Sequence, residues 1–271
     1  MNSDFKQFVI ARMYNSGFIL NQATFLSKAL ADEHENLEEL ERALSDEADQ
    51  DSKLRNPNPR NQGYHWANAT LKSSMEYSLL LMQFAFIESM VHALSDCALE
   101  LNKKVNRLTD AEKSFLTENL QIYHDGKLKN TLKPCTLEQK IEYYPKILAH
   151  LCGHDFDLNK NNYWEFFKKV KQVRDSMTHP RPNFNGVVDK EALFNTAKVV
   201  YWYHDDITRL LQLCLSKDFS MRYTETLAYC ILVNINKSCN QGKWAFILKE
   251  RKKFESQRVY NLKKRRSTKS K

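Results

Sequence analysis

The sequence predicts an all-α fold: a helical bundle preceded by an N-terminal helical arm and followed by a basic C-terminal helical extension. Three observations carry that expectation. The 271 residues include six Gly and six Pro, too few for the turns that an all-β or α/β fold of this length needs. Apolar residues such as Phe18, Leu26, Leu30, Leu37, Leu40 and Leu44 recur at three-, four- and seven-residue steps, the period of a helix that buries one face. Thr109-Asp110-Ala111-Glu112 and Thr136-Leu137-Glu138-Gln139 both have the spacing of a capping box, in which the Thr hydroxyl and the Glu or Gln side chain satisfy each other's backbone N–H.

Residues 5–48 read as the first helix. The stretch Asn56-Pro57-Asn58-Pro59-Arg60-Asn61-Gln62-Gly63 is dense in turn formers and divides an arm, 1–62, from a main bundle, 63–217. Leu71 to Lys103 is apolar on nearly every face, which predicts a long central helix packed from several sides. The first capping box should open a helix running to about Tyr123 and ended by Asp125-Gly126. The second precedes a helix to Leu151, which Pro145 either kinks or begins, with Gly153 as its C-cap. Tyr163 to Met177 follows, with Trp164, Phe167, Val170 and Val173 inward. It should stop near Thr178, because Pro180 disfavours the α conformation in the residue before it. Asp189 to Leu215 closes the bundle on a stripe of Leu193, Ala197, Val200, Tyr203, Ile207 and Leu211. In the final region, 218–271, Met221 to Ile235 is helical and leads through Gly242 into a basic tail that starts with Trp244-Ala245-Phe246-Ile247-Leu248.

The formal charge of +8 is concentrated in that tail. Lys243 to Lys271 holds twelve Lys or Arg and two Glu, so the rest of the chain is net −2. Asp32 to Asp51, conversely, holds ten carboxylates and one Arg. A solvated helix face is the plain reading of that block, and screening of the basic tail in cis is the second. The longest apolar run, Leu79 to Leu94, is interrupted by Gln83, Glu88 and His92, which argues against a membrane span. The N-terminus shows no secretory pattern, so a cytoplasmic protein is expected. Six scattered cysteines read as reduced, buried thiols. His150-Leu151-Cys152-Gly153-His154 lacks a recognised zinc spacing and nominates no fourth ligand, so neither metal nor cofactor is expected.

One segment points to chemistry. Arg174-Asp175-Ser176-Met177-Thr178-His179 sets a permanently charged guanidinium and a titratable imidazole where a helix must end. This motif resembles that of the HEPN superfamily: an arginine, a polar residue, a short gap and a histidine. An aromatic helix leading into it, Pro180 after it and a long closing helix add to the likeness, as do Phe84-Ala85-Phe86-Ile87-Glu88 and Leu137 to Gly153 for earlier helices. The likeness spans about Leu71 to Leu215. It implies a HEPN-like up-and-down bundle and a metal-independent endoribonuclease acting by 2′-hydroxyl attack. His179 would carry protons, Arg174 would hold the non-bridging oxygens, and Asp175 would orient one of them. It implies too that two copies pair, so that both motifs line one cleft, and that some relatives act as toxins or anti-phage effectors. The alternative is a non-catalytic HEPN module that binds RNA, nucleotide or a partner such as a nucleotidyltransferase or antitoxin.

Other residues have narrower readings. Glu88 interrupts an apolar helix face and needs a partner, either Arg174 or a local donor from Ser89 or His92. His154 and His204 are possible second proton carriers, each more simply structural or surface. Tyr201-Trp202-Tyr203-His204 reads as core and interface packing on the last bundle helix, with base stacking the lesser alternative. Lys263, Lys264, Arg265 and Arg266 could attract RNA without sequence preference, or belong to a solubilising tail.

Overall fold

The computed structural model describes residues 3–50, 59–124, 127–132, 134–159, 163–178, 188, 190–217 and 219–238, with the backbone course alone for 33–50, 59–72, 120–130, 177 and 238. Its elements are α1 (Ser3–Gln50), α2 (Pro59–Val105), α3 (Asp110–Thr117), β1 (Asn119–His124), β2 (Lys127–Leu132), α4 (Leu137–Leu151), α5 (Trp164–Thr178), α6 (Lys190–Cys214) and α7 (Arg222–Ser238). Among the described residues the fold is all-α apart from one small hairpin.

α1 buries Phe5, Val9, Met13, Leu20, Ala23 and Leu30 against α2 and α7. It runs antiparallel to α2, where the hydroxyls of Ser16 and Ser89 meet at 2.9 Å and Arg12 lies 3.3 Å from Asp96. Phe18, expected on the apolar stripe, is instead 62% exposed. Its neighbour Gly17 takes the inward place, because a Cβ there would lie 2.8 Å from Thr224 Cγ2 of α7. The close approach of the two helices selects the residue with no side chain.

α2 starts at Pro59, well before the expected Leu71, with proline in the first-turn position it tolerates. Asn106, in the left-handed region at φ 47°, ends it, and Asn102 Oδ1 accepts the N–H groups of Arg107 and Leu108. Ser73–Val105 is long and apolar enough to cross a membrane by length and composition; here α1, α4 and α6 pack around it.

The capping box at Thr109 forms, with both reciprocal bonds present, yet α3 lasts only eight residues. Glu118 turns left-handed at φ 55°, its N–H returns to Ser114 O, and its carboxylate pairs with Lys140. The stretch expected to be helical up to Tyr123 is instead β1, paired antiparallel to β2 from Asn119↔Leu132 to His124↔Lys127. That register leaves Asp125-Gly126 as a two-residue connection, the strongest short-range hairpin signal. The dipeptide reads as a helix stop only when the β-favouring Ile122-Tyr123 before it is overlooked.

The second capping box opens α4, and Pro145 lies buried within the helix rather than at its start. His154 N–H to Ala149 O at 3.0 Å and Gly153 N–H to His150 O at 2.9 Å close α4 as a Schellman motif, with Gly153 at φ 77°. α5 packs on α6, and α6 packs on α2, α4 and α7. The core fills the space between them, with Phe84, Phe86, Ile87, Tyr144, Phe167, Tyr203 and Leu211 almost wholly enclosed.

Candidate functional site

The last turn of α5 presents Arg174 to α2. Arg174 Nη1 is 3.4 Å from Glu88 Oε1, and its guanidinium carbon stands 5.1 Å from the centre of the Phe84 ring. Asp175 Oδ1 lies 3.1 Å from Arg174 Nε, yet the buried Nε has no properly aligned hydrogen-bond acceptor among the described residues. The contact is therefore Coulombic, without the strength of an aligned bond. Glu88 thus has Arg174 as its partner. Because Phe84 in turn packs on Phe167 at 6.2 Å, the guanidinium rests on a rigid aromatic floor.

Asp175 also reaches a second cation. Its Oδ2 accepts from Lys171 Nζ at 2.8 Å, and Lys171 lies 3.4 Å from Glu138 Oε1 of α4. The hydrogen bond to Asp175 raises the Lys171 pKa, with Glu138 adding to the effect against partial burial. A chain of alternating charge, Glu138, Lys171, Asp175, Arg174 and Glu88, therefore joins α4, α5 and α2. Lys171 was not a sequence candidate. Its i,i+4 spacing to Asp175 was the available signal.

A buried carboxylate fixes where α5 begins. Asp206 of α6 accepts Asn159 N–H at 2.8 Å and Tyr163 OH at 2.9 Å on Oδ2, and Arg209 Nη2 at 2.8 Å on Oδ1. Arg209 also donates to Asp157 O and stacks over Phe156. Burial pushes the Asp206 pKa up, while Arg209, Asn159 and Tyr163 pull it back. This cluster pins the stretch just before α5 to α6 and so sets the height at which Arg174 meets Glu88.

The other candidates fall apart spatially. His204, weighed as a second proton carrier, is enclosed, and its Nε2 lies 2.7 Å from Thr224 Oγ1, so it is a core residue. His150 and His154 are exposed, and Cys152 between them is half-buried as a free thiol. Among the described residues no group of three or more His, Cys, Asp or Glu converges as a metal site. Tyr203 is core, with Tyr201 and Trp202 half-buried against it. His179, Lys263, Lys264, Arg265 and Arg266 lie outside the described residues.

No family profile, curated protein or solved structure matches this chain. The HEPN-like reading accordingly rests on the residues from Arg174 to His179 and their helical setting.

Proposed function

We propose that the chain is a metal-independent endoribonuclease whose working site is composite, formed where two copies bring their Arg174 and His179 together. The observation that carries this reading is the guanidinium held at the end of α5. Arg174 retains 20% side-chain exposure, and it is oriented by Glu88, Asp175 and the Phe84 ring. A guanidinium has five N–H donors, so these two carboxylate contacts leave donors for the non-bridging oxygens of a phosphate. His179 follows Arg174 by five residues and takes the proton of the ribose 2′-hydroxyl, or returns one to the departing 5′ oxygen. Attack by the 2′ oxygen on phosphorus yields a 2′,3′-cyclic phosphate and a free 5′-hydroxyl. The reaction needs no metal, and DNA, lacking the 2′-hydroxyl, is not cleaved. One imidazole serves poorly as base and acid in a single turnover, hence the need for a second copy.

A second reading has a specific observation in its favour. Glu88 and Asp175 already compensate Arg174, as expected of a fold-stabilising ion pair in a non-catalytic module that binds RNA, nucleotide or a protein partner. Cleavage of a mixed RNA substrate in the presence of EDTA separates the two. Wild type should cut and leave cyclic phosphate ends, while Arg174→Ala and His179→Ala should each lose at least about a hundredfold in rate, the contribution of a positioned acid–base or charge-stabilising group. Wild-type protein that binds RNA as a dimer and leaves it intact would establish the second reading.

A further inference from the structure

Four of the seven large apolar side chains exposed among the described residues stand on one helix. Ile10 at 46%, Tyr14 at 70%, Phe18 at 62% and Phe25 at 77% all lie in the first half of α1. Their order along the chain has a period. Ala11, Tyr14, Phe18, Asn21 and Phe25, every one exposed, alternate three- and four-residue steps, the repeat by which two helices pair along a seam. Asn21 is its single polar member, of the kind that fixes register. Lone exposed apolar residues are ordinary on a protein surface, whereas a run of them along about four turns of one helix marks a contact.

The seam faces away from the bundle. At about 100° per residue it lies about half a turn from Arg12 and Ser16, which meet α2, and about a quarter turn from Gly17 and Thr24, which meet α7. It is therefore on the far side of α1 from α2, the helix that carries Glu88 to Arg174.

Area and charge select a second copy of this chain as the occupant. At about 200 Å² for a whole aromatic side chain, the exposed parts of the four large residues amount to about 500 Å² per copy and about 1,000 Å² per pair, where specific interfaces begin. Charge sets the direction. Parallel pairing would lay two acidic blocks along each other, each with ten carboxylates between Asp32 and Asp51, because α1 continues as helix to Gln50. Antiparallel pairing sends those blocks to opposite ends. With Tyr14 of one copy facing Phe18 of the other, the same register sets Asp4 opposite Lys28. Lys28, 3.5 Å from Asp32 on its own helix, keeps 70% side-chain exposure towards such a contact. Each Phe25 ring then falls between Gln7 and the small Ala11 of the other copy.

We propose that α1 pairs antiparallel with α1 of a second copy through this seam, Tyr14 against Phe18, by a face distinct from the composite site at the end of α5. Two separate twofold contacts on one chain build a tetramer. The inference does not depend on RNA cleavage.

Sedimentation velocity on the full chain, at up to about 0.1 mM, tests it together with cross-linking. Phe18→Glu and Phe25→Glu each put a good helix former at an exposed position, so both should melt as wild type does. Each should associate at least about tenfold more weakly, the least that one buried ring contributes. The loss reads as dimer to monomer, or as tetramer to dimer where the α5 site pairs copies too, and Arg174→Ala should leave this contact unchanged. In an equal mixture of light and isotope-labelled protein, zero-length carbodiimide cross-linking should join Asp4 of one copy to Lys28 of another, and Phe18→Glu should abolish that link. Wild type that stays monomeric, glutamate variants that associate as strongly as wild type, or links confined within single copies would overturn the pairing. So would a chain ending at Ser238 that dimerises where the full chain does not, since residues 239–271 would then occupy the seam instead.

Discussion

A guanidinium held between carboxylates and a histidine sealed in the core are the two poles of this protein's residue-scale chemistry. Thr224 Oγ1 donates its single hydrogen to Met221 O at 3.0 Å, so it must accept from His204 Nε2–H at 2.7 Å, which assigns the neutral Nε2–H tautomer. Burial lowers the His204 pKa to about 4. An unfolded histidine takes up a proton below about pH 6.5, whereas the folded one does not until about pH 4, so the contribution is complete above pH 6.5 and is lost as pH falls between these values. The loss amounts to about 3 kcal/mol. In denaturant titrations from pH 7 to pH 4, His204→Gln should start less stable than wild type and close the gap as pH falls. Parallel curves would mean that the ring protonates freely in the fold. Glu88 stood out in the sequence as a carboxylate interrupting an apolar helix face, and it does meet Arg174 at 3.4 Å, but its side chain keeps 40% exposure, so burial does not compel the pairing. Asp206 did not stand out, since Asp205-Asp206 reads as a solvated pair until Tyr163 and Asn159, more than 40 residues away, are seen to close over it.

At the scale of elements, local chemistry was readable wherever it ended a helix. Both capping boxes and the glycine closing α4 depend on residues within six positions of one another. The α1–α7 seam depends on residues about 200 positions apart, and no local pattern marks Gly17 as a packing residue. Replacing Gly17 by alanine tests that seam. In an isolated helix the change stabilises by about 1 kcal/mol. Here the new Cβ meets Thr224 Cγ2 at 2.8 Å, and Thr224 cannot swing away without breaking its bonds to His204 and Met221. Overpacking of this kind costs about 1–3 kcal/mol, so Gly17→Ala should be destabilised overall. Thr224→Ser removes the offending methyl and keeps the hydroxyl, and the double variant should recover most of the loss in a thermal melt. Additive losses would show that the two residues do not meet. The hairpin was missed for the opposite reason: the helix signal at Thr109 is strong and correct, and the left-handed turn at Glu118 that cuts α3 short has no residue-type signature.

For the whole molecule the question is what makes the N-terminal helix part of the fold. Its expected separation as an arm followed from the turn-rich stretch after it, but α1 packs along both α2 and α7 and contributes Phe5, Val9, Met13 and Leu20 to the common core. α7 is the wedge in this arrangement. Ala228, Ile231 and Ile235 are fully buried, and the helix packs on α1 on one side and on α6 on the other. A chain ending at Met221 would expose those apolar surfaces together, at about 25 cal/mol per Å², against a net stability of only about 5–15 kcal/mol for a domain. It should therefore lose cooperative unfolding and bind apolar dyes. A chain ending at Ser238 keeps every buried contact described here and sheds the basic segment, so its formal charge turns negative. Its unfolding should stay cooperative, with a midpoint within a few degrees of the full chain, and its heparin binding should largely vanish. Loss of cooperativity in the longer truncation as well would place part of the core beyond Ser238, and the bundle would then have to be redrawn with the C-terminal segment inside it.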